Sequence, residues 1–178
     1  PVIELVEDQL VTLLHQQPVP QKDGLFCAQD GLLKLAILER HRASGNVGLG
    51  ILKGLSLQNG ALGSTVGHDS HNLIVAGDND RDMLLAVQAL EECGGGYAVV
   101  QNGRVTACLP IPIAGMMTDL PLDSLLEEQT KLKAAAEALG HSGTTDPFLA
   151  LSFLGLPVIP EGRILPGGVF DVLSQKYV

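Results

Sequence analysis

The chain has 178 residues, which is enough for one compact domain with a hydrophobic core. It has 11 basic and 20 acidic side chains and a formal net charge of −9. With 46% apolar and 17% charged residues it is too apolar to be disordered, yet no apolar run reaches the roughly 18–20 residues of a membrane-spanning helix. The acidic balance, without any cluster of Lys and Arg, argues against nucleic-acid binding.

The first third of the chain is predicted to be rich in strands. Apolar runs at 2–6 and 10–14, separated by three polar residues, predict a hairpin. The apolar run Leu32–Leu38 has the length of a buried strand. Glycines interrupt the next run, at 47–57, which indicates bulges or a close approach of another backbone.

The middle of the chain carries the clearest local signals. Asp78-Asn79-Asp80 follows a β-branched run and supplies side-chain oxygens that can cap a helix. A helix is predicted over 81–93, because its apolar residues form one stripe and three glycines follow it. Asn102-Gly103 is the favoured turn dipeptide of a two-residue hairpin and joins two further predicted strands.

Two more helices and two strands are predicted in the last third. Asp146-Pro147 is typical of the cap and first position of a short helix, here at 148–154. Strands are predicted at 156–159 and 169–173. A longer helix, over 121–139, is predicted to place six apolar side chains on its inner face: Leu122, Leu125, Leu126, Leu132, Ala136 and Leu139.

The order of these elements favours an α+β fold over a repeating βαβ fold. We expect mixed or antiparallel sheets with about three helices packed on them, in a single compact domain over residues 1–178. Within it, residues 1–30 are predicted to form the N-terminal hairpin and a linker, and residues 31–178 the core.

The most conspicuous polar cluster lies between two apolar runs and consists of His68, Asp69, Ser70, His71 and Asn72. The two imidazoles would share a face on a helical turn and point to opposite faces of a strand. A metal site needs several converging ligands, and this stretch alone supplies two or three at most. Three interpretations stay open: a polar loop whose His residues bond the backbone, the lining of a binding site, and a complete metal site.

A second polar cluster, Glu39-Arg40-His41-Arg42, ends the strand predicted at 32–38. The simpler interpretation is a solvated strand end with an ion pair. The alternative is contact between this cluster and an anionic ligand or a neighbouring domain. No nucleophile elbow, phosphate-binding loop or dinucleotide fingerprint can be recognised elsewhere in the chain.

The sulfur-containing residues give two further expectations. Met116-Met117 has two interpretations, a soft contact surface and filling of the core, and the core is expected because it is the commoner use of methionine. Cys27, Cys93 and Cys108 have no paired spacing, which indicates reduced thiols and a cytoplasmic protein.

An ordered series of motifs resembles a known family. In order, the motifs are Glu39-Arg40-His41, Gly45-Asn46-Val47-Gly48-Leu49-Gly50, His68-Asp69-Ser70-His71-Asn72, Gly77-Asp78-Asn79-Asp80-Arg81-Asp82-Met83, Pro110-Ile111-Pro112-Ile113-Ala114-Gly115-Met116 and Asp146-Pro147-Phe148. Together they resemble the C-terminal domain of bacterial and archaeal adenine deaminases, which belong to the amidohydrolase superfamily. The resemblance covers nearly the whole chain, from about residue 31 to residue 178.

The resemblance implies a hydrolase acting on C–N bonds, which converts adenine and water to hypoxanthine and ammonia in purine salvage. In that family the chemistry belongs to a preceding (β/α)8 barrel with two divalent metals, manganese or iron, that activate water. The 178 residues lack that barrel and begin at Pro1 without an initiator Met. We therefore expect part of a larger cytoplasmic homo-oligomeric deaminase, inactive alone and without a cofactor of its own.

By this resemblance, the domain is expected to help enclose the purine at the mouth of the barrel. His68, Asp69, Ser70, His71 and Asn72 are the candidates for lining the substrate site, with Arg40 and His41 as a weaker second group. No residue is assigned a catalytic or metal-binding role. Two alternatives remain: a non-catalytic scaffold or oligomerisation module, and an independent purine-binding domain.

Overall fold

The computed structural model describes all 178 residues. The elements up to the middle of the chain are β1 (Val2–Leu5), β2 (Thr12–His15), β3 (Gln21–Lys22), β4 (Leu25–Phe26), β5 (Leu32–Leu38), β6 (Val47–Lys53), β7 (Gly60–Ser64), β8 (Leu73–Gly77) and α1 (Asp80–Glu92). The remaining elements are β9 (Gly96–Gln101), β10 (Arg104–Pro110), α2 (Leu122–Ala138), α3 (Pro147–Leu154), β11 (Gly162–Leu165), β12 (Gly168–Asp171) and β13 (Lys176–Tyr177).

Eight of the strands form one mixed sheet, in the order β10-β9-β7-β8-β5-β6-β1-β2. Its neighbouring strands are antiparallel, except that β1 and β6 run parallel. β11, β12 and β13 form a second, antiparallel sheet, and β3 pairs with β4 in a short hairpin. The predicted α+β fold, with three helices and mixed or antiparallel sheets in one domain, is confirmed.

The large sheet is covered on both faces, because alternate side chains of each strand point to opposite sides. Ala61 of β7 joins the apolar cluster around α1, whereas its neighbour Leu62 joins the cluster that contains α2, α3 and the second sheet. Every residue of β7 and β8 is buried. The loop that connects these two strands is therefore held at both ends by a buried strand.

The predicted helix caps are confirmed. Asn79 Oδ1 accepts a hydrogen bond from the backbone N–H of Asp82 at 2.9 Å, where α1 begins. Asp146 Oδ1 accepts from the backbone N–H groups of Phe148 and Leu149, both at 2.9 Å, where α3 begins. Asn102 also takes its predicted place in the tight turn between β9 and β10.

The end of the chain packs against its first fifteen residues. The Thr12 hydroxyl donates to the carbonyl oxygen of Gly162 at 2.8 Å, and the backbone N–H of Thr12 donates to Pro160. Arg163 is fully buried and donates from Nη2 to the carbonyl of Leu10 at 2.7 Å and from Nε to that of Ile159 at 2.6 Å. Segments about 150 residues apart are thus joined by buried hydrogen bonds.

The predicted inner face of α2 is wrong in the first part of the helix. Leu132 and Ala136 are buried, but Leu122 is 69% exposed and Leu126 is 50% exposed. α2 packs on β10 and β9, the two strands at one edge of the large sheet, so only part of its length is covered. No helix has the length and apolar character needed to cross a membrane.

Two other local predictions are wrong. The strand predicted at 156–159 consists of turns, because Pro157 has no backbone N–H to offer a neighbouring strand. Met116 and Met117 were expected in the core but lie in an exposed turn, with 38% and 58% of their surface accessible. The strand predicted at 169–173 is confirmed at its start, as β12.

Candidate functional site

The polar loop, defined as residues His68–Asn72, joins β7 to β8. Its backbone is anchored at both ends, since the N–H of His68 donates to Ser152 of α3 and the N–H of His71 donates to Gly67, each at 2.8 Å. Asp69 and Ser70 are exposed at the tip, and Asn72 is buried at the base. All five candidate residues are thus brought into one short loop of fixed shape.

His71 is held as a neutral imidazole. Burial lowers the pKa of His71 below its ordinary value of 6.5, and the neighbouring His68 and Arg40 lower it further. The backbone N–H of Gly67 points at His71 Nδ1 in a long contact of 3.4 Å, so this nitrogen is assigned as the acceptor. A neutral ring then carries its proton on Nε2, which makes that atom a hydrogen-bond donor.

His68 is fixed by stacking. Its ring lies over Phe153 with the ring centroids 4.1 Å apart and the planes inclined by 9°. His68 Nδ1 is buried without a hydrogen-bond partner in the domain. The same side chain lines a groove of about 1010 Å³ between α2 and α3, together with Tyr97 and Leu126. The loop therefore borders an open, mixed polar and apolar groove.

Arg40 and His41 hold the polar loop from the end of β5. Arg40 donates from Nε to the carbonyl oxygen of His71 at 2.6 Å and from Nη2 to that of Ala114 at 2.7 Å. His41 Nε2 lies 2.6 Å from the carbonyl oxygen of Ser70. Burial lowers the pKa of Arg40 below its ordinary value, yet the group remains a cation at neutral pH. Both side chains contact the backbone of the loop.

The ion pair expected at the end of β5 is wrong, because Glu39 bonds the backbone. Its carboxylate accepts hydrogen bonds from the N–H groups of His41 and Arg42 and from the hydroxyl of Ser44. Desolvation opposes ionisation, but these hydrogen bonds hold the pKa of Glu39 at about 2. Glu39 therefore shapes the turn that presents Arg40 and His41.

Sequence reasoning missed two residues that shape the turn bonded by Arg40. Thr65 is buried; its hydroxyl accepts from the N–H of Gly96 at 2.8 Å and donates to the carbonyl of Gly115 at 2.9 Å. Gly115 has φ +71°, and a Cβ there would lie 2.6 Å from Nη2 of Arg40. Only glycine fits there. Gly115 stands within the motif at 110–116, but nothing local indicates its contact with Arg40 or the role of Thr65, because their partners are distant in sequence.

The domain does not form a metal centre from its own side chains. No group of three or more His, Cys, Asp or Glu residues comes together in a way that could hold a metal ion. The side chains of this domain therefore supply no complete ligand set for the two divalent metals that the resemblance implies for the preceding barrel. Any such metals would need ligands outside these 178 residues.

Comparison with known proteins finds one matching family model and several similar proteins, all described as adenine deaminases. The family model described as the adenine deaminase C-terminal domain matches residues 9–176. The adenine deaminase of Nitratidesulfovibrio vulgaris (strain DP4) is 49% identical over 178 residues, which cover 99% of this chain and 31% of that protein. Adenine deaminase 2 of Carboxydothermus hydrogenoformans is 47% identical, and the adenine deaminase of Halalkalibacterium halodurans is 43% identical, with the same coverage. The chain thus spans about a third of the length of these relatives.

Proposed function

Because the chain belongs to the adenine deaminase C-terminal domain family, we propose that it is the part of an adenine deaminase that helps enclose the purine. The parent reaction would convert adenine and water to hypoxanthine and ammonia, in purine salvage. The rest of the polypeptide would supply a barrel with two divalent metals, manganese or iron, and the reaction centre. The polar loop would lie at the mouth of that barrel.

The observation that carries this proposal is the paired donor and acceptor on the polar loop. Neutral His71 offers an Nε2–H donor, and exposed Asp69 offers carboxylate oxygens as acceptors. Adenine has the complementary groups, with ring nitrogens that accept hydrogen bonds and an exocyclic amine that donates them. A neutral planar base is recognised by a few placed polar groups of this kind in a mostly apolar pocket.

The fixed shape of the loop supports the same proposal. Arg40, His41 and Ser152 bond the loop through its backbone, so these bonds do not occupy the side chains of Asp69 and His71. Groups held in place before the ligand arrives lose less conformational freedom on binding. A rigid loop over the purine would also keep bulk water from the reacting centre.

The test uses Asp69→Asn and His71→Ala in the longer polypeptide that carries this domain. Loss of a hydrogen bond to a charged or well-placed group lowers kcat/KM for adenine by about 10-fold or more. Metal content should stay at the parent level in both variants. Glu92→Gln, which alters an exposed carboxylate on α1, is the matched control and should keep full activity. Parent-level kcat/KM in both loop variants would overturn the proposal.

Three further expectations belong to the same proposal. The 178-residue chain alone should release no ammonia from adenine, and rapid release would contradict the dependence on a barrel. The complete protein is proposed to be a homo-oligomer, which its mass in light scattering tests. A cytoplasmic location is supported by the three unpaired thiols of Cys27, Cys93 and Cys108, which suit a reducing compartment.

A further inference from the structure

We propose that an exposed apolar strip, next to the polar loop, is the surface against which the rest of the polypeptide packs in the complete protein. The apolar strip consists of six side chains within residues 113–126: Ile113, Met116, Met117, Leu120, Leu122 and Leu126. This inference takes from the proposed function only that the chain is part of a longer polypeptide. It does not depend on what the polar loop binds.

The first argument is the concentration of exposed apolar side chains in this segment. Six of the nineteen large apolar residues that are exposed lie within these fourteen residues, and Met117 and Leu122 are 58% and 69% exposed. Single apolar residues on a surface are normal, but a contiguous group marks an interaction site. Methionine and leucine are also the flexible, adaptable side chains that suit a contact surface.

The second argument is that the exposed turn is built firmly. Ile113 and Met117 exchange backbone hydrogen bonds, at 3.0 Å and 3.1 Å. Thr65 and Arg40 bond the carbonyl oxygens of the residues between them. Leu122 and Leu126 lie at the start of the regular helix α2, which begins five residues after Met117. The apolar groups are therefore presented by fixed backbone.

The third argument is position. Arg40 bonds the turn and the polar loop with the same guanidinium, through the carbonyl oxygens of Ala114 and His71. Leu126 of the strip and His68 of the loop line the same groove. A protein body seated on the apolar strip would thus lie directly beside the polar loop.

The occupant follows from the length of the relatives. The chain covers 31% of the adenine deaminases that it matches, so more than two thirds of each polypeptide lies outside this domain. A covalently linked partner has an effective concentration of about a millimolar or more, so a modest apolar surface is enough to dock it. The remaining polypeptide is therefore the occupant that we infer, rather than a second copy of the domain.

Methionine oxidation tests the inference, because the chain has only three methionines. Met116 and Met117 belong to the strip, and Met83, 8% exposed in the core, is an internal control. In the complete polypeptide treated with hydrogen peroxide, we expect sulfoxide to form at Met116 and Met117 about 10-fold more slowly than in a short methionine peptide. Rates within about twofold of the peptide at both positions would overturn the inference.

A pair of matched variants shows which surface protects the methionines. Leu122→Lys with Leu126→Lys should raise the oxidation rate of Met117 about fivefold or more, because buried Lys opposes docking. Leu84→Lys, at a residue 63% exposed on α1, should leave that rate unchanged. Slow oxidation of Met83 in each variant shows that the domain stays folded.

The remaining outcomes separate this inference from its alternatives. Protection of Met116 and Met117 that disappears on dilution would identify a second copy as the occupant and overturn the inference. Protection that persists while the Asp69 and His71 variants keep full activity would overturn the proposed function alone. Fast oxidation of Met116 and Met117 together with inactive Asp69 and His71 variants would support the proposed function and overturn the docking inference.

Discussion

Arg40 Nε lies 2.6 Å from the carbonyl oxygen of His71, and this bond fixes the base of the polar loop from a strand end 31 residues away. His71 has φ +48°, in the left-handed region that non-glycine residues rarely adopt without support. The guanidinium stabilises this conformation and at the same time bonds Ala114. Arg40 is therefore a positioning residue for the loop.

Arg40→Lys should loosen the polar loop, because an ammonium cannot match the fork geometry of the guanidinium at two carbonyls. Loss of one such bond costs about 1.5–3 kcal/mol, so kcat/KM for adenine in the complete protein should fall about 10-fold or more. Hydrogen exchange of residues 67–72 should accelerate in the same variant. Arg42→Met, which removes a nearby exposed side chain, is the control, and equal behaviour of the two variants would contradict the positioning role.

The lowered pKa of His71 predicts how stability depends on pH. Between the folded pKa and the ordinary value of 6.5, the unfolded chain binds more protons than the folded chain. The free energy of unfolding should therefore be highest above pH 6.5 and fall as the pH drops through this window. Urea unfolding of the parent and of His71→Gln at a series of pH values measures this effect. An equally steep fall in His71→Gln would show that another group is responsible.

Cys108 should be unreactive although it is only half buried. Burial, followed by the neighbouring Cys93 with its Sγ atom 3.7 Å away, raises the pKa of Cys108 to about 12. Only the thiolate reacts with alkylating reagents, so near pH 8 Cys108 should react at least about 100-fold more slowly than an ordinary free thiol. Timed alkylation followed by peptide mass spectrometry measures the rate. The same experiment in denaturant should restore ordinary reactivity.

Arg163 should stabilise the domain despite its buried charge. Its guanidinium donates to three carbonyl oxygens, and burial lowers its pKa to about 10. Arg163→Met would leave the carbonyl oxygens of Leu10 and Ile159 without this donor, whereas that of Pro160 keeps the N–H of Thr12. We therefore expect the free energy of unfolding to fall by about 2–4 kcal/mol in urea titrations. Arg104→Met removes an exposed arginine and should change the free energy of unfolding by less than about 0.5 kcal/mol. A neutral or stabilising Arg163→Met would mean that desolvation outweighs the hydrogen bonds.

The parts of the fold that were predictable are those specified by neighbouring residues. Asn79 caps α1 three residues from its partner, and Asn102-Gly103 closes a hairpin through its own backbone preferences. The inner face of α2 was predicted only in part. Periodicity identifies the apolar stripe of a helix, but it does not show how far the sheet beneath the helix extends.

The residues of the candidate site could be predicted from the sequence, but the contacts that determine its shape could not. The run from His68 to Asn72 is visible as polar residues between apolar strands, whereas its shape depends on contacts with distant segments. Arg40 reaches Ala114, 74 residues away, and Thr65 reaches Gly115, 50 residues away. Such pairs have no periodic signature, so both Thr65 and the bridging role of Arg40 emerge only in three dimensions.

The hydrogen bonds between Thr12 and Gly162 have a consequence for folding during synthesis. Within this domain, β1 and β2 are translated before the other elements, but the partners that bury Thr12 are translated about 150 residues later. Closing so long a loop carries a large entropic cost before any contact compensates for it. The hairpin of β1 and β2 therefore stays partly exposed until nearly the whole domain has emerged. During this interval the nascent chain would most need a chaperone.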